Sequence, residues 1–175
     1  MEEKEVIQIL RQYRHDLLNQ LQIVQGYMSM GKTEKVQSKI KDYIQRLNEE
    51  RKLVNFDAPL FALYLIQFDS LHMNFRLTYD IHTENRNLQH IDGELIDCCR
   101  KIMAEIEHIS DENELYEVHL QINEVASESL IELDFAVVGN FYDSDNRLEG
   151  LKNNRFNADT DITADGITCT CNVQF

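Results

Sequence analysis

The sequence predicts an α+β protein in which a helical hairpin precedes a mixed domain. Two apolar stripes at helical spacing, separated by a glycine, fill residues 1–55, and the alternating patterns typical of strands begin only near residue 75. The charge divides in the same way. Residues 1–55 hold ten Lys/Arg and eight Asp/Glu, a net +2, whereas residues 56–175 hold seven and twenty-three, a net −16. We therefore predict a hairpin domain over 1–55 and a C-terminal α+β domain over 56–175.

The hairpin domain is predicted to contain two long helices. In the first, over residues 3–29, Arg14 fills the one polar slot of an otherwise apolar seam: Ile7, Leu10, Leu17, Leu21, Val24 and Met28. Gly31 interrupts the pattern, and Thr33 is expected to cap a second helix over about 34–54. Its stripe is Val36, Ile40, Tyr43, Leu47 and Val54. A lone hairpin leaves much of both stripes in water, so we expect a homodimer forming a four-helix bundle.

The C-terminal domain is predicted to cover a small sheet with helices. Asp57 is expected to cap a buried helix that has Pro59 in its first turn. A second helix is predicted from about Asp92 to Ile109, and residues 139–160 are predicted to be a loop. The predicted strands are Phe75–Thr83, Tyr116–Ile122, Ser129–Val138 and the closing stretch ITCTCNVQF. The sheet is expected to be largely antiparallel.

Composition limits the classes of function. A net charge of −14 argues against nucleic acid as the main partner. No apolar run approaches the roughly 18 residues of a membrane span, and the acidic start MEEKEVIQIL is unlike a signal peptide. We therefore expect a cytoplasmic protein without a membrane partner. The cysteines, Cys98, Cys99, Cys169 and Cys171, lack C-x-x-C spacing and are expected to be reduced and buried rather than zinc ligands.

His15 is predicted to lie on the exposed face of the first helix. At about 100° per residue, it falls roughly 140° from the centre of the seam. Arg11 and Arg14 border it and could meet a phosphoryl group, Asp16 could orient the ring, and Asn19 adds a neutral donor and acceptor. A neutral imidazole can attack phosphorus without a separate strong base. His15 is therefore a candidate nucleophile, the alternative being a surface side chain without a function.

The stretch RHDLLNQLQIVQG (Arg14–Gly26) resembles the phosphoacceptor helix of two-component signalling proteins. More narrowly, it is similar to the histidine phosphotransferases of sporulation phosphorelays. The resemblance is close over about residues 5–55 and weaker beyond, where it includes the LDF of Leu133–Phe135. It implies a dimeric four-helix bundle followed by a domain resembling a degenerate histidine-kinase ATPase domain.

That resemblance raises the question of whether the chain uses ATP. Kinase domains of this kind hold ATP with an Asn-bearing helix and two Gly-rich loops. Here the helix Glu94–Ile109 has no Asn, the stretch Asp134–Phe141 has one Gly at the wrong spacing, and no G-x-G occurs anywhere. Gly-rich backbone lets N–H groups approach a triphosphate. We therefore expect no autokinase activity and no cofactor or metal held by this chain.

The resemblance then implies a relay of phosphate between proteins. His15 would take a phosphoryl group from the aspartyl phosphate of one response regulator and pass it to the aspartate of a second, with each receiver supplying its own Mg²⁺. The implied partners are a single-domain regulator as donor and a sporulation transcription factor as acceptor. The expected docking residues are Arg11, Arg14, Asp16, Leu18, Asn19 and Gln22. Two alternatives stay open: a dimer that binds and blocks a receiver, and a truncated sensor kinase.

The other histidines are predicted to have structural or surface roles. These histidines are His72, His82, His90, His108 and His119. None of them has Cys, Asp or Glu at a spacing that predicts a metal site. The acidic stretch DSDNRLEG (Asp143–Gly150) lacks the pattern of a calcium loop and is predicted to be solvated.

Overall fold

The protein is described here by a computed structural model that covers residues 3–85, 87–141, 159–163 and 166–175, with the backbone alone for 159–163. Within these residues the chain contains four α-helices, a short 3-10 helix and five strands, which makes it an α+β protein, as predicted. It divides into two compact units, Met1–Asn48 and Glu49–Phe175. No helix in the described ranges is long and apolar enough to cross a bilayer.

The N-terminal unit is helical. Helix α1 spans Glu3–Ser29 and helix α2 spans Thr33–Leu53, close to the predicted ranges. Thr33, which was expected to cap α2, is instead its first residue, and the carbonyl of Lys32 accepts the N–H of Val36. Gly31 joins the two helices with a φ of 67°, a left-handed conformation that costs glycine little. Helix α1 has no buried residue, and Leu53 is the only buried residue of α2. The packing of the single chain therefore leaves most of the predicted seam exposed.

The C-terminal unit is a five-stranded sheet with helices on one face. Helix α3 spans Pro59–Leu71 and helix α4 spans Asp92–Ile109, with the 3-10 helix Gln89–Ile91 just before it. The strands are β1 (Phe75–His82), β2 (Tyr116–Val125), β3 (Leu130–Val138), β4 (Asp159–Thr163) and β5 (Gly166–Gln174). Their order is β1-β2-β3-β5-β4. Only β1 and β2 run parallel, so the sheet is largely antiparallel, as predicted.

The alternation of the strands builds the core. Every second residue of β2, β3 and β5 is buried, and these residues join the apolar faces of α3 and α4 in one cluster. Period-two burial on the strands and three-and-four spacing on α4 are what the sequence pattern predicts. The opposite face of the sheet is polar, and there Asn123 and Thr170 both donate hydrogen bonds to Asp134.

The outer edge of β1 is closed by side chains from the helices. The N–H of Leu77 donates to Asp69 at 2.9 Å, and the N–H of Ile81 donates to Glu49 at 2.9 Å. Lys52 donates to the carbonyl of Ile81 at 3.1 Å and pairs with Glu49 at 2.7 Å. These bonds satisfy groups that an edge strand otherwise offers to another strand.

Two predictions about the C-terminal unit, the cap of α3 and the state of the cysteines, need correction. Ala58, not Asp57, is the residue that precedes α3, and it makes no side-chain cap. Cys98 and Cys171 are joined by a disulfide across 73 residues, so the prediction of four reduced thiols is wrong for this pair, which α4 and β5 bring together. Cys99 and Cys169 are buried thiols.

The predicted loop over 139–160 lies largely outside the described residues, as does the stretch Asp143–Gly150. Its last two residues are the start of strand β4, which the sequence analysis missed. In the part of the chain that the structure describes, strand β4 is the edge strand beyond β5 and pairs with that strand. Its sequence, DTDIT, has no apolar alternation that would have predicted a strand.

Candidate functional site

His15 lies in the middle of α1, and 66% of its side chain is exposed. Its Nδ1 lies 3.2 Å from the Oδ1 atom of Asp16 and 3.3 Å from the Nδ2 atom of Asn19. The Nε2 atom has no hydrogen bond to any residue that the structure describes. One ring nitrogen is therefore held by neighbours on the same helix, while the other is open to an incoming group.

Gln12 adds a residue that the sequence analysis missed. Its Nε2 donates to both carboxylate oxygens of Asp16, at 3.1 Å and 3.2 Å. Gln12 lies one helical turn before Asp16, the spacing at which Gln and Asp side chains meet on a helix surface. The i, i+4 spacing of Gln12 and Asp16 in the sequence could have predicted this contact. The site is thus a chain of contacts from Gln12 through Asp16 to His15.

The predicted docking residues surround this chain of contacts. Arg11 and Arg14 are exposed, and neither makes a hydrogen bond or ion pair within the described part of the protein. Leu18, with 49% of its surface exposed, and Gln22 continue the stripe of α1 that contains Arg11 and His15. Two unpaired guanidinium groups beside an imidazole favour a negatively charged partner.

Two residues of the stretch that was compared with the ATP-binding loops of kinases have other neighbours in this structure. The stretch compared with an adenine-binding loop begins inside strand β3, where the Asp134 carboxylate accepts bonds from Asn123 at 2.9 Å and Thr170 at 2.6 Å. The ring of Tyr116 occupies the space beside Gly139, so a Cβ at that position would lie only 2.3 Å from the ring. Asp134 and Gly139 thus serve the sheet and its packing.

Two of the other histidines, His72 and His119, make contacts within the C-terminal unit that indicate structural roles. His72 bridges Tyr64, at 2.8 Å, and Glu107, at 2.6 Å, and so links α3 to α4. Burial, more than the neighbouring charges, raises the pKa of the Tyr64 hydroxyl, which therefore stays protonated. His119 contacts Thr78 at 3.1 Å and Asp80 at 3.5 Å on the polar sheet face. Among the described residues, no group of three or more His, Cys, Asp or Glu could hold a metal ion.

Comparison with known proteins gives the family. Residues 1–56 match the α-helical domain of SpoOB-type sensor kinases, and residues 57–169 match the C-terminal domain of sporulation initiation phosphotransferase B. The chain belongs to the sporulation initiation phosphotransferase B family. It is thus a SpoOB-type sporulation phosphotransferase, and it is 29% identical over 133 residues to sporulation initiation phosphotransferase B of Bacillus subtilis (strain 168), covering 75% of this chain and 69% of that protein.

Solved structures of histidine kinases are also similar to the chain. The histidine kinase domain of the Erythrobacter litoralis EL346 blue-light activated histidine kinase matches with a TM-score of 0.43 and 11% identity, covering 65% of this chain and 64% of that chain. The Acinetobacter baumannii histidine kinase AdeS matches with a TM-score of 0.44 and 12% identity, covering 91% of this chain and 97% of that chain.

Proposed function

We propose that this chain relays a phosphoryl group from the aspartyl phosphate of one response regulator, through His15, to the aspartate of a second, in the cytoplasm. The observation that carries the proposal is the environment of His15: its side chain is exposed, its Nε2 atom has no partner in the described residues, and Asp16 contacts its Nδ1 atom. Membership of a family of sporulation phosphotransferases supports the same activity.

The chemistry of each transfer is an in-line displacement. The lone pair of His15 Nε2 attacks the phosphorus and forms the N–P bond. The P–O bond of the donor's aspartyl phosphate breaks, and its electrons leave with the aspartate carboxylate. The proton on Nδ1 stays on the ring, where Asp16 faces the positive charge that develops. The second transfer reverses these steps on the acceptor's aspartate. The receivers supply Mg²⁺, so the contribution of this chain is to position the ring.

Receiver docking is assigned to the exposed stripe around His15. Arg11 and Arg14 supply unpaired positive charge for the acidic rim of a receiver, with Gln22 beside them. Leu18 offers an apolar contact. Asp16 and Asn19 lie at the centre of the docked surface. The proposed donor is a single-domain regulator, and the proposed acceptor is a sporulation transcription factor.

The active form is proposed to be a homodimer with a four-helix bundle. Within the single chain, exposed apolar residues lie along the predicted seams of both helices: Ile7, Leu10, Leu21, Met28, Ile40 and Leu47. Exposed apolar area of this extent on two adjacent helices is typical of a surface that another helix pair covers.

The test is transfer of label between purified receivers. A phosphorylated donor receiver is incubated with the chain and an acceptor receiver. We expect acid-labile, base-stable label on the wild type and label on the acceptor. Both should be lost in His15→Ala, whereas His108→Ala, which removes an exposed histidine of α4, should retain them. Transfer by His15→Ala would refute the proposal.

The same preparation separates the two alternatives. A chain that only blocks a receiver would bind it yet acquire no label. A truncated kinase would become labelled on incubation with γ-labelled ATP and no receiver, which we expect not to occur. Saturable micromolar binding of ATP would contradict the expectation that this chain holds no nucleotide.

A further inference from the structure

Two neighbours compete for the Nδ1 atom of His15. The Asp16 carboxylate can only accept a hydrogen bond, so its contact at 3.2 Å requires a proton on Nδ1. The Asn19 Nδ2 group can only donate, so its contact at 3.3 Å requires a lone pair on Nδ1. A neutral imidazole cannot satisfy both. Asp16 therefore favours the tautomer with a lone pair on Nε2, and Asn19 favours the tautomer with a proton there.

Gln12 biases this competition towards Asp16. Its amide donates to both oxygens of the Asp16 carboxylate, at 3.1 Å and 3.2 Å, and nothing else that the structure describes bonds to that carboxylate apart from His15. We propose that Gln12 is a positioning residue that holds Asp16 against Nδ1, so that Nε2 of His15 carries the lone pair. This role rests on the proposed function of His15, because a lone pair on Nε2 matters only if that atom attacks phosphorus.

The geometry of the helix explains why residue 12 has this effect. Side chains of a helix lean towards its N-terminus, so the carboxylate of Asp16 lies over the turn that contains Gln12. Residues i and i+1 do not normally face one another on a helix, and a freely rotating Asp16 would leave Nδ1 to Asn19 part of the time. A neutral donor suits the position, since a carboxylate at residue 12 would repel Asp16.

The direct test is the tautomer of His15, read from the ¹⁵N chemical shifts of its ring nitrogens in the full chain labelled on histidine. The His15→Ala variant assigns the signals. We expect Gln12→Ala and the isosteric Gln12→Glu to raise the population with the proton on Nε2. Asn19→Ala should shift the population the opposite way. Gln8→Ala removes an exposed glutamine of the same helix that has no hydrogen bond in the described chain, and it should change nothing.

The transfer rate gives a second readout. Gln12→Ala should lower the limiting rate of phosphoryl transfer by about twofold to tenfold, with the half-saturating receiver concentration unchanged. This is the range expected for loss of an exposed amide donor that two carboxylate oxygens share. A rise in that concentration with an unchanged limiting rate would instead assign Gln12 to docking and overturn the positioning role.

The two proposals fail in different ways. If His15→Ala still transfers label, the proposed function is wrong, whatever the tautomer. If His15→Ala is inactive but the tautomer populations of Gln12→Ala and wild type are equal, only the role of Gln12 is wrong. The helix content and the thermal unfolding midpoint of Gln12→Ala and Gln8→Ala are measured by circular dichroism. Equal values show that any difference in transfer rate is not caused by unfolding.

Discussion

The carboxylate of Asp92, at the first residue of α4, accepts a hydrogen bond of 2.8 Å from the backbone N–H of Phe61 in the first turn of α3. Its other oxygen accepts the N–H of Leu60 at 3.0 Å. Because Ala58 provides no side-chain cap and Pro59 has no N–H, Asp92 supplies the acceptors that the start of α3 needs. A residue of one helix thus caps another.

Removing this cap should destabilise the C-terminal unit. Asp92 is buried, and Asp92→Ala leaves two N–H groups without acceptors, which we expect to lower the free energy of unfolding by about 1–3 kcal/mol. Asp92→Asn keeps one acceptor oxygen and should cost less. Urea unfolding followed by circular dichroism measures both. Asp97→Ala, an exposed position of α4 without a hydrogen bond in the described structure, is the control, and a loss as large as that of Asp92→Ala would contradict the explanation.

The cap also shows why some features were predictable from sequence and others were not. The two long helices, the strands β1, β2, β3 and β5, and the exposure of His15 follow from local periodicity, which a sequence displays directly. The Asp92 cap and the Cys98–Cys171 disulfide join residues 31 and 73 positions apart, and no local pattern encodes such pairs. Strand β4 pairs with β5 in the described structure, and its own sequence has no apolar alternation that would predict a strand. The contact of Gln12 with Asp16 differs from these pairs, because it joins residues only four positions apart and could have been predicted from the sequence.

The ring of Tyr116 should make Gly139 intolerant of a side chain. Tyr116 is fully buried, stacks on Phe75 with ring centroids 5.1 Å apart, and donates from its hydroxyl to the carbonyl of Asn140 at 2.8 Å. A Cβ on residue 139 would lie 2.3 Å from that ring. We expect Gly139→Ala to lower the free energy of unfolding by about 1–3 kcal/mol, measured by urea unfolding.

The matched control is Gly93, another glycine of this unit whose surroundings the structure describes. A Cβ there meets nothing within 4 Å, and the residue lies in α4. Gly93→Ala should cause no loss, and we expect it to raise the free energy of unfolding by up to about 1 kcal/mol through better helix propensity. Equal losses at both positions would show that the Tyr116 ring does not decide the effect.

Glu132 should give the stability of the protein a pH dependence. Partial burial first, and then the nearby Asp134 carboxylate, raise the pKa of Glu132 above its ordinary value of 4.5. A carboxyl with a higher pKa in the folded state is destabilising when ionised. Glu132→Gln cannot ionise, so it should be more stable than wild type above the raised pKa. This advantage should shrink as the pH falls through the raised pKa and vanish below the unfolded value.

Urea unfolding of wild type and Glu132→Gln between pH 4 and pH 7 measures this difference. We expect a small gain, because the side chain is only partly buried and solvent screens the charges. Glu117→Gln, an exposed position of β2 with no hydrogen bond among the described residues, should show no such trend. A gain for Glu132→Gln that grows towards low pH would contradict the direction of the pKa shift.

Leu18 and Leu21 separate dimerisation from receiver docking. They are similarly exposed in the single chain, at 49% and 52%, yet Leu21 lies in the predicted seam and Leu18 lies between the seam and His15. A charge at a buried interface position costs several kcal/mol unless it is paired. Leu21→Glu should therefore convert the proposed dimer to a monomer, measured by analytical ultracentrifugation. Leu18→Glu should stay dimeric and instead raise the receiver concentration needed for half-maximal transfer. A dimeric Leu21→Glu, or a monomeric Leu18→Glu, would show that the bundle uses a different face of α1.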